Sequence, residues 1–264
     1  MCYKPPPTPR SGVERKYPTV RSWLRRQSLS LCGASLCLAL VPLPQMGRGE
    51  IEIVNIAFVV AFVILSLALH EAAHAWVAWK CGDPTAKDLG RITLNPIASI
   101  DPIWTILVPA ITLYSGLGAF GGAKPVPVDM RRLRHPLRDM MLVALAGPAT
   151  NFLLAIVFYL AFKVAMKFGD YHPADLLPSV VVYAMYSNLL LTVFNLLPIP
   201  PLDGSRVMAW LLPESLREPY MRLEAFGIIL VFVLMRVVPG LRELIASGMD
   251  QLADLIDILT FGSW

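Results

Sequence analysis

The chain has 264 residues, 56% of them hydrophobic and only 16% charged, with a mean hydropathy of +0.58 and a formal net charge of +4. An ordinary soluble domain carries about 25% charged residues, so the composition argues for lipid as the main solvent. The basic residues lie between apolar stretches, where topology signals belong, which argues against a nucleic-acid partner; Cys2, Cys32, Cys37 and Cys81 show no C-x-x-C spacing and argue against a disulfide framework or a structural zinc site.

Residues 1–45 differ from the rest, with Pro5-Pro6-Pro7, seven Lys or Arg and a short apolar run over 29–43. They read either as a signal or anchor segment or as sequence upstream of a true start at Met46. From Met46 to about residue 240 the chain reads as a membrane-embedded domain. Its first apolar stretch, 53–79, is near the roughly 20 residues that a hydrocarbon core requires.

Within that span stands His70-Glu71-Ala72-Ala73-His74. Two histidines four residues apart project from one helix face about one turn apart and form a two-nitrogen claw for Zn²⁺. Glu71, about 100° around the helix from His70, is placed to act as general base on a water that such a zinc activates. Against a chance motif stands its depth: ionisable side chains in an apolar span are costly unless paired or metal-bound, so a functional site is the default reading.

The connection over 80–138 contains residues 89–96 and 124–128, whose alternation suggests short β pieces, and an uncharged run over 102–123 interrupted by prolines and glycines. Two further spans follow at 140–162 and 179–199, and a fourth at 225–238 carries Arg236 near its end, where it can snorkel. The last 24 residues, 241–264, space leucines and isoleucines helically with acids between them, as in an amphipathic surface helix.

A catalytic zinc needs a third protein ligand. His135 and His172 sit in polar loops and read as solvated residues. Asp203 follows the third span, after Pro198, Pro200 and Pro201 have ended any regular helix. Two readings of it stand level: a metal ligand, or the N-cap of a helix beginning at Gly204.

The motif H-E-x-x-H in one span, with Asn195-Leu196-Leu197-Pro198-Ile199-Pro200-Pro201-Leu202-Asp203-Gly204 closing a later one, resembles the site-2 protease family, peptidase family M50. Gly82-Asp83-Pro84-Thr85-Ala86-Lys87, Gly90-Arg91-Ile92-Thr93-Leu94-Asn95-Pro96, Ile100-Asp101-Pro102, Ala123-Lys124-Pro125-Val126-Pro127-Val128 and Ala146-Gly147-Pro148-Ala149-Thr150-Asn151 extend the likeness to its compact bacterial branch over about 52–215. Gly122 and Ser99 depart from it, standing where relatives often carry Trp and His. The resemblance implies an intramembrane zinc metalloendopeptidase that cuts membrane-embedded protein or peptide substrates, with one Zn²⁺ per chain on His70, His74 and Asp203. It also makes Asn151 and Asn195 candidates for holding substrate backbone or the oxyanion; bridging helices, or satisfying carbonyls freed by the prolines, would use them equally well.

If Asp203 joins the histidines, the first and third spans run in the same direction, so one crossing separates them and 102–123 is re-entrant. The fold expected is all-α and polytopic, with about four transmembrane helices. This arrangement gives the zinc-proximal face eleven Lys or Arg (80, 87, 91, 124, 131, 132, 134, 138, 206, 217, 222) and the other face, besides Arg48 ahead of the first span, four (163, 167, 236, 242). The positive-inside rule makes the first face cytoplasmic, in a bacterial cell membrane. Two rival classes remain: a zinc-binding scaffold or chaperone that does not cut, against which an intact Glu71 argues, and a metal transporter, for which several intramembrane ligand clusters would be expected rather than one.

Overall fold

The computed structural model describes residues 49–99, 101, 102, 107, 114, 122–169, 171, 175–238 and 240–260. The N-terminal segment 1–45 and most of the expected re-entrant run 102–123 fall outside them.

Three long helices build the core: α1 (Gly49–Lys80), α3 (Pro136–Phe168) and α4 (Leu176–Asn195). Each is long and apolar enough to cross a membrane, α1 over Phe58–Lys80. Backbone polar groups have no partner in hydrocarbon, so a chain this apolar satisfies them within helices. A one-turn helix α2 (Thr85–Asp88) follows α1, and α5 (Gly204–Leu211), α6 (Glu214–Arg222), α7 (Gly227–Val237) and α8 (Leu241–Leu259) complete the chain, with 3₁₀ turns at Pro96–Ser99 and Leu223–Phe226. No strand occurs among the described residues; 89–95 form turns and bends, and 122–129 run without regular structure. The fourth apolar stretch holds the 11-residue helix α7, about 16 Å long by its rise, against a hydrocarbon core of about 30 Å.

Cross-helix contacts set the directions. The rings of Phe62 and Phe158 meet edge to face at 5.3 Å, whereas the later His74 meets the earlier Val143, so α1 and α3 are antiparallel. Val59 and Val63 cluster with Tyr183, and Ser66, further along α1, accepts from Asn188 Nδ2 at 2.9 Å, further along α4. Those two helices are therefore parallel, as the shared direction inferred from Asp203 requires.

The central helix is α4, buried along most of its length against both partners. Its Val182, Met185 and Leu189 pack with Ala155 and Phe162 of α3, Val231 of α7 and Ile256 of α8. The amphipathic C-terminal helix α8 lays Ile245, Met249 and Ile256 on this core. At its end Tyr159 Oη donates to Asp257 at 2.6 Å and Lys163 Nζ to the Thr260 carbonyl at 2.9 Å. The other end of the bundle, where α1 and α4 finish and α3 begins, carries the functional groups.

Candidate metal centre

His70 and His74 are buried on the face of α1 that meets α3 and α4. Their Nε2 atoms lie 2.9 Å apart, and Oδ2 of Asp203 lies 3.3 Å from that of His70 and 3.4 Å from that of His74. Two zinc–ligand bonds of about 2.0–2.1 Å at a tetrahedral angle separate their ligand atoms by about 3.3 Å. The spacing and donor chemistry thus fit a divalent zinc ion, and His70, His74 and Asp203 form the one such group among the described residues.

Second contacts orient the rings. His74 Nδ1 lies 2.7 Å from the Val143 carbonyl; a carbonyl only accepts, so Nδ1 carries the hydrogen and the neutral ring offers its Nε2 lone pair to the centre. Pro148, inside the same helix, supplies no N–H to the neighbouring Ala144 carbonyl four residues earlier.

Gly147, beside Pro148, lets α3 approach. A Cβ at this position would stand 2.5 Å from Cε1 and Nε2 of His70 and from Nε2 of His74. The chain can fit a metal here only because residue 147 has no side chain.

Asp203 arrives by a loop that folds back on the end of α4. Asn195 Nδ2 donates to the Leu191 carbonyl at 3.0 Å, and the following turn is closed by Ile199 N–H to Leu197 O at 2.8 Å and Leu202 N–H to Ile199 O at 2.8 Å. Tyr220 Oη of α6 donates to the Pro198 carbonyl at 3.0 Å. Gly204 then passes so close to the Leu196 carbonyl that a Cβ would collide with it. Of the two readings of Asp203, the N-cap is absent: the residue has helical backbone angles and its side chain makes no cap hydrogen bond to α5. Burial pushes its carboxyl up, but the imidazoles of His70 and His74 outweigh burial and hold it well below the usual carboxylate range.

Glu71 is partly buried next to this group, its Oε2 accepting the Val126 N–H at 3.1 Å. Asn151 lies one turn beyond Gly147 on α3, hence on the same face, fully buried, with neither Nδ2 nor Oδ1 given a hydrogen-bond partner. Asn195 differs, because one of its amide hydrogens is committed to its own helix. The contributions of Gly147, the Val143 carbonyl, the Val126 N–H and Tyr220 were not anticipated from sequence. The run Ala146-Gly147-Pro148 was the signal available for the first, since a glycine before an intrahelical proline marks a close approach.

The family model of peptidase family M50 matches residues 57–171 and 163–238. The chain belongs to peptidase family M50. It is 37% identical over 209 residues to "Putative zinc metalloprotease YwhC" of Bacillus subtilis, covering 76% of this chain and 92% of that relative. It is 32% identical over 187 residues to "Putative zinc metalloprotease Rip2" of Mycolicibacterium smegmatis, covering 70% of this chain and 68% of that one. "Putative zinc metalloprotease Rip3" of Mycobacterium tuberculosis matches at 31% over 191 residues, 71% of this chain and 39% of its own length. No solved structure matches. Membership of M50 agrees with the site-2 protease resemblance carried by the two motifs, and makes the chain a membrane peptidase with three helices of spanning length.

Proposed function

We propose that this M50 peptidase is a zinc metalloendopeptidase that cuts membrane-embedded protein segments, as in regulated intramembrane proteolysis, with one Zn²⁺ held by His70, His74 and Asp203. The observation that carries the reading is the convergence of those three ligand atoms within 2.9–3.4 Å of one another between membrane-length helices. Zinc bound there supplies a Lewis acid that polarises the scissile carbonyl and acidifies water beside it.

The chain's own groups do the rest. Glu71 takes the proton of the attacking water on its carboxylate and returns it to the leaving amine nitrogen. Asn151 offers an amide N–H and a carbonyl, both buried and unpartnered; leaving such groups unmade is costly, and a substrate backbone or developing oxyanion would satisfy them. Asn195 has a second amide hydrogen and Oδ1 for the same purpose, though its hydrogen bond to the Leu191 carbonyl fits a role in holding the end of α4. A substrate helix must unwind to reach this site, because a helical backbone shields its carbonyls.

Around the site the reading adds a fourth crossing over 225–238 to the three helices of spanning length, with the 11-residue α7 as its helical part. The eleven-to-five distribution of basic residues, counting Arg48, supports a metal-proximal end at the cytoplasmic face of a bacterial cell membrane.

Cleavage of a transmembrane peptide by purified full-length protein, with zinc measured on the same samples, tests the reading. Wild type cuts; Glu71→Gln retains zinc and does not cut. A Glu71→Gln protein that cuts at the wild-type rate removes the general base from the account, and a zinc-loaded wild type that cuts no transmembrane peptide favours a zinc-binding scaffold.

A further inference from the structure

We infer that the backbone N–H of Val126 is the positioning group for the Glu71 carboxylate, presented by a proline-bracketed strap that the chain clamps at both ends. The inference rests on the reading of Glu71 as general base. The N–H donates to Oε2 at 3.1 Å, which leaves Oε1 for proton transfer. A glutamate on a helix surface has many rotamers to lose, and one fixed donor removes most of them. A backbone amide suits the task because it holds a carboxylate without competing for its proton, as a lysine or histidine would.

The sequence of the strap isolates that donor. Pro125 and Pro127 have no N–H, so between them Val126 supplies the one backbone hydrogen. Residues preceding proline are driven toward extended conformations, which stiffens Lys124 and Val126. The stretch 122–129 accordingly has neither helix nor ladder.

Both ends of the strap are tied to the chain just past α1. On the upstream side the Arg91 guanidinium donates to the Lys124 carbonyl. Downstream, the Asp129 N–H donates to Asp83 Oδ2 at 2.7 Å. The other oxygen of Asp83 takes the Thr85 N–H at 3.0 Å and its hydroxyl at 2.5 Å. Arg134 N–H then bonds the Cys81 carbonyl at 3.1 Å. Gly82, at φ +115°, makes this fit: the backbone conformation disfavours any other residue, and a Cβ would press to 3.1 Å on the Arg132 carbonyl. The helix that carries Glu71 is thereby braced against the strap that holds its carboxylate.

The test is steady-state cleavage of a transmembrane peptide by full-length, zinc-loaded protein. Val126→Ala keeps the N–H and serves as the reference against which Val126→Pro is read. Val126→Pro removes the N–H in a segment already disposed to be extended, and lowers kcat about tenfold or more, with KM and zinc content as in wild type. Amide exchange of the peptide 124–128, in which only Lys124, Val126 and Val128 carry an N–H, gives a second readout independent of how Val126→Pro folds. Exchange at Val126 is slow in wild type and in Glu71→Gln, which keeps an acceptor, and faster in Glu71→Ala. Wild-type kcat in Val126→Pro, a loss confined to KM, or exchange unaltered in Glu71→Ala overturns the inference. A Glu71→Gln protein that cuts defeats the general-base reading itself, whereas an inactive Glu71→Gln beside a fully active Val126→Pro defeats the positioning role alone.

Discussion

Replacing Gly147 with alanine adds one methyl group at the most crowded point of the metal centre. Its carbon would lie 2.5 Å from three imidazole atoms of His70 and His74, whereas non-bonded atoms pack comfortably at about 3.5–4.0 Å. Either α3 retreats by about 1 Å or the rings turn away, and zinc sites tolerate departures of only about 0.2 Å in ligand distance. Overpacking costs about 1–3 kcal/mol, offset by up to about 1 kcal/mol as alanine replaces glycine within a helix. The two effects leave global stability lowered by about 3 kcal/mol at most. Zinc binding weakens as well, by about 10- to 100-fold in affinity. Chelator competition and elemental analysis on detergent-purified full-length protein measure that affinity, with peptide cleavage and thermal unfolding on the same samples. Gly122→Ala is the control, since a Cβ there meets nothing within 4 Å. A Gly147→Ala protein that binds zinc as tightly as wild type and cuts as fast refutes the packing argument.

Three further outcomes follow from the same geometry. Asn151→Leu replaces a buried side chain with two unpartnered polar atoms; thermal unfolding should show unchanged or raised stability while cleavage drops at least about tenfold, and a loss of both together would mean that Asn151 is structural. Tyr220→Phe removes the hydrogen bond to the Pro198 carbonyl at about 1 kcal/mol, and chelator competition should show weaker zinc binding because the loop carrying Asp203 loosens; unchanged affinity would detach α6 from the centre.

Asp83 supplies a pH dependence. Its burial pushes the carboxyl up, but hydrogen bonds from the Thr85 hydroxyl and N–H and the Asp129 N–H, with the Arg132 charge, outweigh this and lower it. A carboxyl lowered on folding contributes stability that is fully present above its unfolded value of about 3.9 and is lost as pH falls through the folded value. Asp83→Asn, which cannot accept on both sides, should therefore cost about 1.5–3 kcal/mol near neutral pH, and the gap from wild type in thermal unfolding should narrow as pH falls below about 3.9. A gap that is constant or widens contradicts the assignment.

The bundle was legible from sequence because lipid permits few alternatives. The apolar stretches 53–79 and 140–162 lie inside the helices Gly49–Lys80 and Pro136–Phe168, which extend past them by a turn or so through charged residues that hydropathy alone does not count. The third, 179–199, overran its helix, which ends at Asn195 as the chain approaches Pro198. The histidine pair was legible because an i, i+4 spacing is local and fixes a common face. Spacing left Asp203 open, since its place depends on a fold-back that Gly204 permits at the Leu196 carbonyl. Least legible were the groups that act through backbone atoms. The Val143 carbonyl and the Val126 N–H have no side-chain signature, and the role of Gly147 lies in an atom it lacks.

The central claim is that the loop after α4 completes a catalytic zinc site with the histidines of α1. Zinc per chain and cleavage of a transmembrane peptide, compared between wild type and Asp203→Ala at equal folded fraction, test it most directly. The account predicts about one zinc and cleavage in wild type, with metal affinity and cleavage both lost in Asp203→Ala; an Asp203→Ala protein that keeps its zinc and still cuts contradicts it.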